Sequence, residues 1–365
     1  MHRRIESAMT MLTDPRHFKL RLFIEGNIIG VATGMVIALF RYLLELSEEA
    51  LPVLYRWLPD HILWIPVWFA LLAVCAYILY RIVRKDGMTS GSGIPQIKGI
   101  LLGEMDMNWA RVLVLKFTGA VLGIGAGMSL GREGPSVQLG ACLGQGLGRL
   151  THRSYAESHY LLTAGAGAGL AAAFNAPLAG VMFCLEELTK NFSAFVLMGA
   201  ISAAVTATTV TQYFFGMEPV FHMGVVPVID TGSMYVLLIA LGAFVGLLGL
   251  AFNPMLTRSQ DFYKKLPAKV RPLLPLFCAG LVGFILPQIL GGGSRLVDSL
   301  VVTNYTLIFL IVLLAGKFLF TMICFGSGVP GGIFLPMLVL GSVGGAIFAK
   351  IVIFLGVMTE RFAVN

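Results

Sequence analysis

Apolar stretches long enough to cross a bilayer recur along the chain, at Phe23–Leu46, Ile62–Val83, Ala194–Phe215, Met234–Phe252, Leu273–Leu290 and Leu307–Phe325. A crossing helix needs roughly 20 mostly apolar residues to span the hydrocarbon core. Inside lipid every backbone N–H and C=O must find a partner within the protein, and a helix does this within one segment. The pattern therefore predicts an all-α, polytopic membrane protein. Only 12% of the 365 residues are charged and 57% are hydrophobic, whereas an ordinary soluble domain is about 25% charged. The 43 glycines cluster inside the apolar stretches, where glycine lets helices approach closely or marks a break in one.

The net charge of +7 would suit nucleic acid, but its placement argues for topology instead. Arg3, Arg4, Arg16, Lys19 and Arg21 precede the first stretch, and Arg81, Arg84 and Lys85 close the second. Arg149 and Arg153 form another group, and Arg258, Lys264, Lys265, Lys269 and Arg271 fill a later loop. The intervening Gly216–Ser233 has no Lys or Arg and carries Glu218 and Asp230. Basic loops stay on the cytoplasmic side, so the N-terminus is expected in the cytoplasm and nucleic acid is not an expected partner. Residues 1–22 read as a cytoplasmic segment and 23–365 as a transmembrane core. No A-x-A-like site follows a short apolar core, so no removable signal peptide is expected, and no hydrophilic tail or regulatory domain is seen.

Cys75, Cys142, Cys184, Cys278 and Cys324 lie singly, without metal-ligand spacing, and read as small core side chains. The six histidines fall near termini or loops. No metal site, cofactor or nucleophile–base pair is expected, and an enzyme is the least favoured reading.

The chain repeats itself. A shift of 201 residues lays Lys116 on Lys317, Phe117 on Phe318, Gly125 on Gly326, Gly127 on Gly328, Gly131 on Gly332 and Pro135 on Pro336. Leu139, Gly140 and Gly144 fall on Leu340, Gly341 and Gly345. "GREGP" at 131–135 thus corresponds to "GIFLP" at 332–336. Repeat one covers about 23–190 and repeat two about 231–365, and a consistent placement of both requires opposite topologies. Repeats of this kind build transport sites from broken helices whose ends meet at mid-membrane.

Each repeat carries a Gly-rich turn followed by an apolar helix with proline in its first turn, where a missing N–H costs nothing. The free N–H groups there, with the helix dipole, make an anion site. "GGIFLP" presents the amides of Ile333 and Phe334 with no competing charge, and "SGSGIPQIKG" at 90–99 adds a hydroxyl at Ser92. The first repeat builds Glu133 into the same geometry. A carboxylate beside such amides is a tethered competitor for the anion: deprotonated it occupies the site, protonated it can leave. The plainer alternative pairs Glu133 with Arg132 as a helix-start acid.

"GSGIP" at 91–95, "GREGP" at 131–135, "AAAFNAPLAGVMFCLEE" at 171–187 and "GGIFLP" at 331–336 resemble the CLC chloride channels and proton-coupled chloride transporters, in the family's order and at similar spacing. The resemblance implies an inverted repeat, a homodimer with one anion path per subunit, and a multi-pass location in the bacterial inner membrane. It implies chloride ligation by Ser92 and the amides of Gly134, Ile333 and Phe334, with Glu133 as the external gate. The second acid of "EE", Glu187, matches the internal proton-transfer glutamate, whereas Glu186 reads as a boundary residue. A relay needs a second titratable group between Glu133 and the cytoplasm, and "LAGVMFC" offers nothing else. The first expectation is therefore coupled chloride–proton antiport; a passive anion channel, selectivity for another anion, and a non-transporting form are the alternatives.

Two further signals have a structural reading. "GAGLAA" at 167–172 matches a dinucleotide fingerprint but continues into membrane sequence, and reads as small-residue helix packing. Lys116 and Lys317 could raise the potential for anions or satisfy carbonyls at a helix break. The repeat also places the counterpart of Glu187 near residue 388, beyond Asn365. Either repeat two is truncated, lacking the family's later helices with their tyrosine ligand and part of the dimer interface, or the chain functions without them; the expectation is a less stable chain, weak or inactive in coupled transport.

Overall fold

The computed structural model describes residues 15–217 and 232–356. Arg3, Arg4, Glu218 and Asp230, on which part of the orientation reading rests, lie outside them. The described chain is helical, with no strand beyond one isolated bridge between Gly131 and Gly332. Its α-helices are α1 (Pro15–Trp57), α2 (Ile65–Lys85), α3 (Ile94–Leu101), α4 (Trp109–Gly125), α5 (Glu133–Leu150), α6 (Tyr155–Phe174) and α7 (Pro177–Met182), which continues as a π-helical turn, Phe183–Thr189. They continue as α8 (Ala194–Phe215), α9 (Gly232–Lys265), α10 (Leu273–Ile285), α11 (Ser294–Val302), α12 (Leu307–Gly326) and α13 (Phe334–Phe354).

Six of these are long and apolar enough to cross a membrane, and the molecule is a multi-pass membrane protein. Five carry the stretches expected from the sequence. The sixth, Leu273–Leu290, is interrupted: α10 stops after 13 residues at Ile285, where Leu286 turns away at φ −146° and a short 3₁₀ turn, Pro287–Ile289, follows. Proline has no N–H to continue the helix and disfavours helical backbone just before it. In its place α13, whose repeat partner starts at "GREGP", meets the length criterion.

Small residues set the helix packing. Gly26, Gly30 and Gly34 line one face of α1 at four-residue spacing, against Ser202, Ala203 and Ala207 of α8. Gly140 and Gly144 of α5 meet the backbone of Gly165 and Leu161 on α6 so closely that a methyl group at either would overlap a carbonyl oxygen. Lipid supplies no hydrophobic push between helices, so contact must come from such close approach. The "GAGLAA" glycines serve the same purpose: Gly167 packs on Gly180 and Cys184, and Gly169 on Ser136. They lie within α6, not at a strand-to-helix turn. By contrast α9 exposes Val236, Ile239, Leu247 and Leu250, a face suited to lipid.

The repeat is realised in the backbone. Gly91 and Gly93 before α3 have φ of 61° and 94°, and Gly291 and Gly293 before α11 have 63° and 93°. Glycine alone adopts this left-handed backbone without strain. Each turn leans on the opposite repeat, Gly91 N–H donating to Gly328 C=O (3.2 Å) and Gly291 N–H to Gly127 C=O (3.0 Å). Each is also held by a lysine. Lys116 Nζ donates to the carbonyls of Thr89 (3.0 Å) and Gly91 (2.6 Å), and Lys317 Nζ to those of Ile289 (3.0 Å) and Gly291 (2.8 Å). Both lysines are fully buried. An unpaired carbonyl in apolar surroundings costs about 1–3 kcal/mol, so each lysine replaces the hydrogen bonds that the broken helix cannot make. Of the two readings left open for these lysines, the geometry supports carbonyl satisfaction.

Candidate functional site

At the centre, Gly131 N–H donates to Gly332 C=O (2.8 Å) and Gly332 N–H to Gly131 C=O (2.7 Å). These two glycines are equivalent under the 201-residue repeat, so the bridge lies on the pseudo-two-fold axis, and its antiparallel sense is that of an inverted repeat. Two residues beyond the bridge on each side a helix begins: α5 at Glu133 and α13 at Phe334. Two helix N-termini therefore start from one point, with their first N–H groups unengaged by their own helices.

Ser92, Gly134 and the bridge come together here. A methyl group at Gly134 would lie 2.7 Å from Ser92 O and 2.8 Å from Ser92 Cβ, and one at Gly332 would lie 3.0 Å from Gly134 N. Gly134 must lack a side chain for the Ser92 turn to reach α5. Ser92 Oγ accepts from Ile94 N–H (3.4 Å), leaving its own proton free to donate. Ile333 is half-buried, and Phe334 is exposed, its ring packing edge-to-face on Phe174 with centroids 5.6 Å apart.

Glu133 is buried, 2% exposed, and its carboxylate fills the space that a side chain on Gly131 or Gly332 would occupy. It is turned toward the N–H groups of Glu133, Gly134 and Leu335, although neither oxygen reaches full hydrogen-bond geometry with a partner. The carboxylate thus stands between the two helix starts. It is not a helix-start acid paired with its neighbour. Arg132 turns to Glu45, Nη1 to Oε1 3.6 Å, and Glu45 also accepts from Arg41 Nε at 2.5 Å. A buried, unneutralised carboxylate is costly unless it is protonated or exchanged for another arrangement, so this position is suited to titration coupled to movement.

Glu187 stands apart from this cluster. It lies on the π-helical turn, is exposed, and is ion-paired with Lys98 of α3. Lys98 lies on α3, six residues after Ser92 in the chain. Glu186 beside it is also exposed. The sequence reading named neither Glu45 nor Lys98. The i,i+4 spacing of Arg41 and Glu45 was a visible signal; nothing local marks a pair 89 residues apart.

The family described as "Voltage gated chloride channel" matches residues 72–364. The H(+)/Cl(-) exchange transporter ClcA of Vibrio cholerae is 36% identical over 340 residues, 89% of this chain and 71% of that protein. The ClcA of Citrobacter koseri is 34% identical, covering 90% of this chain and 72% of that one. Among solved structures, a slow cyanobacterial Cl-/H+ antiporter superposes with a TM-score of 0.84 at 30% identity, covering 92% of this chain and 80% of the other. A CLC-type fluoride/proton antiporter superposes with a TM-score of 0.76 at 25% identity, covering 91% and 82%. The paired glycine turns, the helix starts at the bridge and these similarities agree: the chain belongs to the CLC family of voltage gated chloride channels and transporters.

Proposed function

We propose that this protein exchanges chloride for protons across the membrane, with Glu133 as the group both ions share. The observation that carries this reading is the buried Glu133 carboxylate standing between the N-termini of α5 and α13. Ionised, it is the resident anion. Once protonated, it loses its attraction for the helix dipoles and swings out, leaving Ser92, Gly134 and the amides of Ile333 and Phe334 to receive chloride. One carboxylate cannot be a bound anion and a proton carrier at once, so the two movements are linked in opposite directions. Glu187 serves as the proton's stepping stone to the cytoplasm, and its presence favours exchange over a passive channel. The names of the similar proteins, exchange transporters and antiporters, support the same reading.

The wider assignments belong to this reading. Residues 1–22 form a cytoplasmic segment and 23–365 the membrane core; the basic loops face the cytoplasm of a bacterial inner membrane; two copies pair, each with its own path. The protein moves ions across the membrane and converts no substrate into a different compound. Reconstituted vesicles with chloride and proton followed together provide the test. A chloride gradient should drive proton movement against the proton gradient. Chloride flux with no accompanying proton would replace exchange by a channel.

A further inference from the structure

Arg132 precedes Glu133 in the chain, yet its charge is drawn away by side chains of α1. Its side chain is nearly buried, 11% exposed. Among the described residues its one carboxylate neighbour within ion-pair distance is Glu45, Nη1 to Oε1 3.6 Å. Glu45 is itself fixed. The same oxygen accepts from Arg41 Nε (2.5 Å), one turn back on α1. Arg41 in turn lies over the Phe215 ring at the end of α8, 4.1 Å from the guanidinium carbon to the ring centre. One carboxylate oxygen thus serves two guanidinium groups, and one of those is anchored on a neighbouring helix.

A buried cation without a partner is costly, so a released Arg132 turns to whatever carboxylate remains in reach. The charged groups that act on it are Glu45, Glu48 and Arg41 of α1 and Glu133 itself. Glu48 already accepts from the Ser294 hydroxyl (3.3 Å) at the turn of repeat two, whereas neither oxygen of Glu133 has a full hydrogen bond. The other cations around the bridge are engaged elsewhere: Lys116 of α4 and Lys317 of α12 by carbonyls, Lys98 of α3 by Glu187. Glu133 is therefore the acceptor open to a released Arg132. A guanidinium beside a carboxylate favours the ionised form, and ionised Glu133 is the form that fills the space between the helix starts.

We propose that Glu45 is a positioning residue of the gate: it holds Arg132 off Glu133 and so leaves that carboxylate free to take a proton and move. The role rests on the exchange reading above, because it acts through the same carboxylate.

The test is the pH profile of chloride flux in vesicles carrying the full chain. In Glu45→Gln the rise of flux with acidity should move to lower pH by about 1–3 units, the usual effect of a cation brought within about 4–6 Å of a carboxylate. Adding Glu45→Gln to Arg132→Gln should move nothing, since no cation is left to turn. Glu45→Asp keeps the charge on a shorter arm and should fall between; it also guards against a glutamine variant that fails to fold. Arg41→Met removes the cation that competes for Glu45, tightens the hold on Arg132 and should give no shift to lower pH. A network that served only stability would shift alike in Arg41→Met and Glu45→Gln, and that result overturns the role. So does an unchanged profile in Glu45→Gln, or an equal shift with and without Arg132, in a protein whose pH dependence Glu133→Gln removes; the gate reading then stands. If Glu133→Gln keeps the wild-type pH dependence, the gate lies elsewhere and both readings fall.

Discussion

In the first repeat Lys116 holds the carbonyls of Thr89 and Gly91, and in the second Lys317 holds those of Ile289 and Gly291. The glycine dihedrals agree to within a few degrees, and the central bridge joins equivalent residues. What hangs from this shared frame differs. Glu133 in repeat one corresponds to Phe334 in repeat two, and Gly134 to Leu335. The turn of repeat one carries Ser92 against Gly134, while the hydroxyl of Ser294 in repeat two donates to Glu48 (3.3 Å). The backbone device that exposes helix N-termini is thus built twice, and the titratable group at the bridge is supplied once. That single-sidedness is what a coupled exchanger needs: two competing carboxylates at the bridge would leave no vacancy for chloride.

The largest expected effect comes from removing the group that breaks the symmetry. Glu133→Gln makes the two helix starts alike in charge. Proton movement should be lost, and chloride flux should no longer rise as pH falls, because no carboxylate remains to be protonated. Parallel chloride and pH recordings on the variant vesicles check this; an unchanged pH dependence would locate the gate elsewhere. Next is Glu187→Gln, for which proton transport should stop while chloride movement persists, since only the proton uses that residue. Equal loss of both ions would give Glu187 a structural role.

The third comparison uses glycines in register. Gly140 meets the backbone of Gly165, whereas its partner Gly341 has open space around it. Gly140→Ala forces α5 away from α6 and should destabilise by about 1–3 kcal/mol, the usual scale of overpacking. Gly341→Ala should stay within about 0.5 kcal/mol. Melting temperatures in one detergent rank the two; comparable losses would mean that the packing asymmetry is absent in solution. A fourth pair separates frame from site. Lys116→Met and Lys317→Met each orphan two carbonyls, and should lose a similar amount of stability, on the order of 2 kcal/mol after the relief of burying a charge. Only Lys116→Met loosens the turn that carries Ser92, so it alone should weaken chloride binding, measured by calorimetry. Equal weakening in both would show that the lysines act through the frame as a whole.

Much of this frame was legible in the sequence because it depends on residue types with few substitutes. The prolines in the first turns of α5 and α13 leave a mark that a self-comparison can find, and the glycines at 91, 93 and 134 stand in the short motifs "GSGIP" and "GREGP". The register between Gly131 and Gly332 was readable as a shift, though not as a hydrogen-bonded bridge. Side-chain partners were less legible. Arg132 sits beside Glu133 in sequence, yet the helix start sends the two side chains apart and Glu45, 87 residues earlier, takes the arginine. The roles of Lys116 and Lys317 stayed open because a buried lysine looks the same in sequence whether it faces an ion or a carbonyl. The apolar run 273–290 also misled: hydropathy measures lipid compatibility and does not see that Pro287 ends the helix.

The smallest expected effect concerns Lys98, the residue that joins Glu187 to the helix starting at the Ser92 turn. Its ion pair with Glu187 is half-exposed, with side chains 32% and 50% accessible. Exposed pairs contribute about 0–1 kcal/mol, so Lys98→Met should barely change the melting temperature. Its consequence should instead fall on one ion. Without the lysine, nothing holds the Glu187 carboxylate beside α3, and proton transfer should slow a fewfold while the chloride affinity is unchanged. Lys98→Arg, which keeps the charge, should restore the proton rate. Ser299 on α11 supplies a control: its hydroxyl donates to Leu296 C=O within its own helix, so Ser299→Ala should alter neither ion. If Lys98→Met slowed chloride and protons together, the pair would be holding α3 in place for both, and the separation of the two paths at this helix would be wrong.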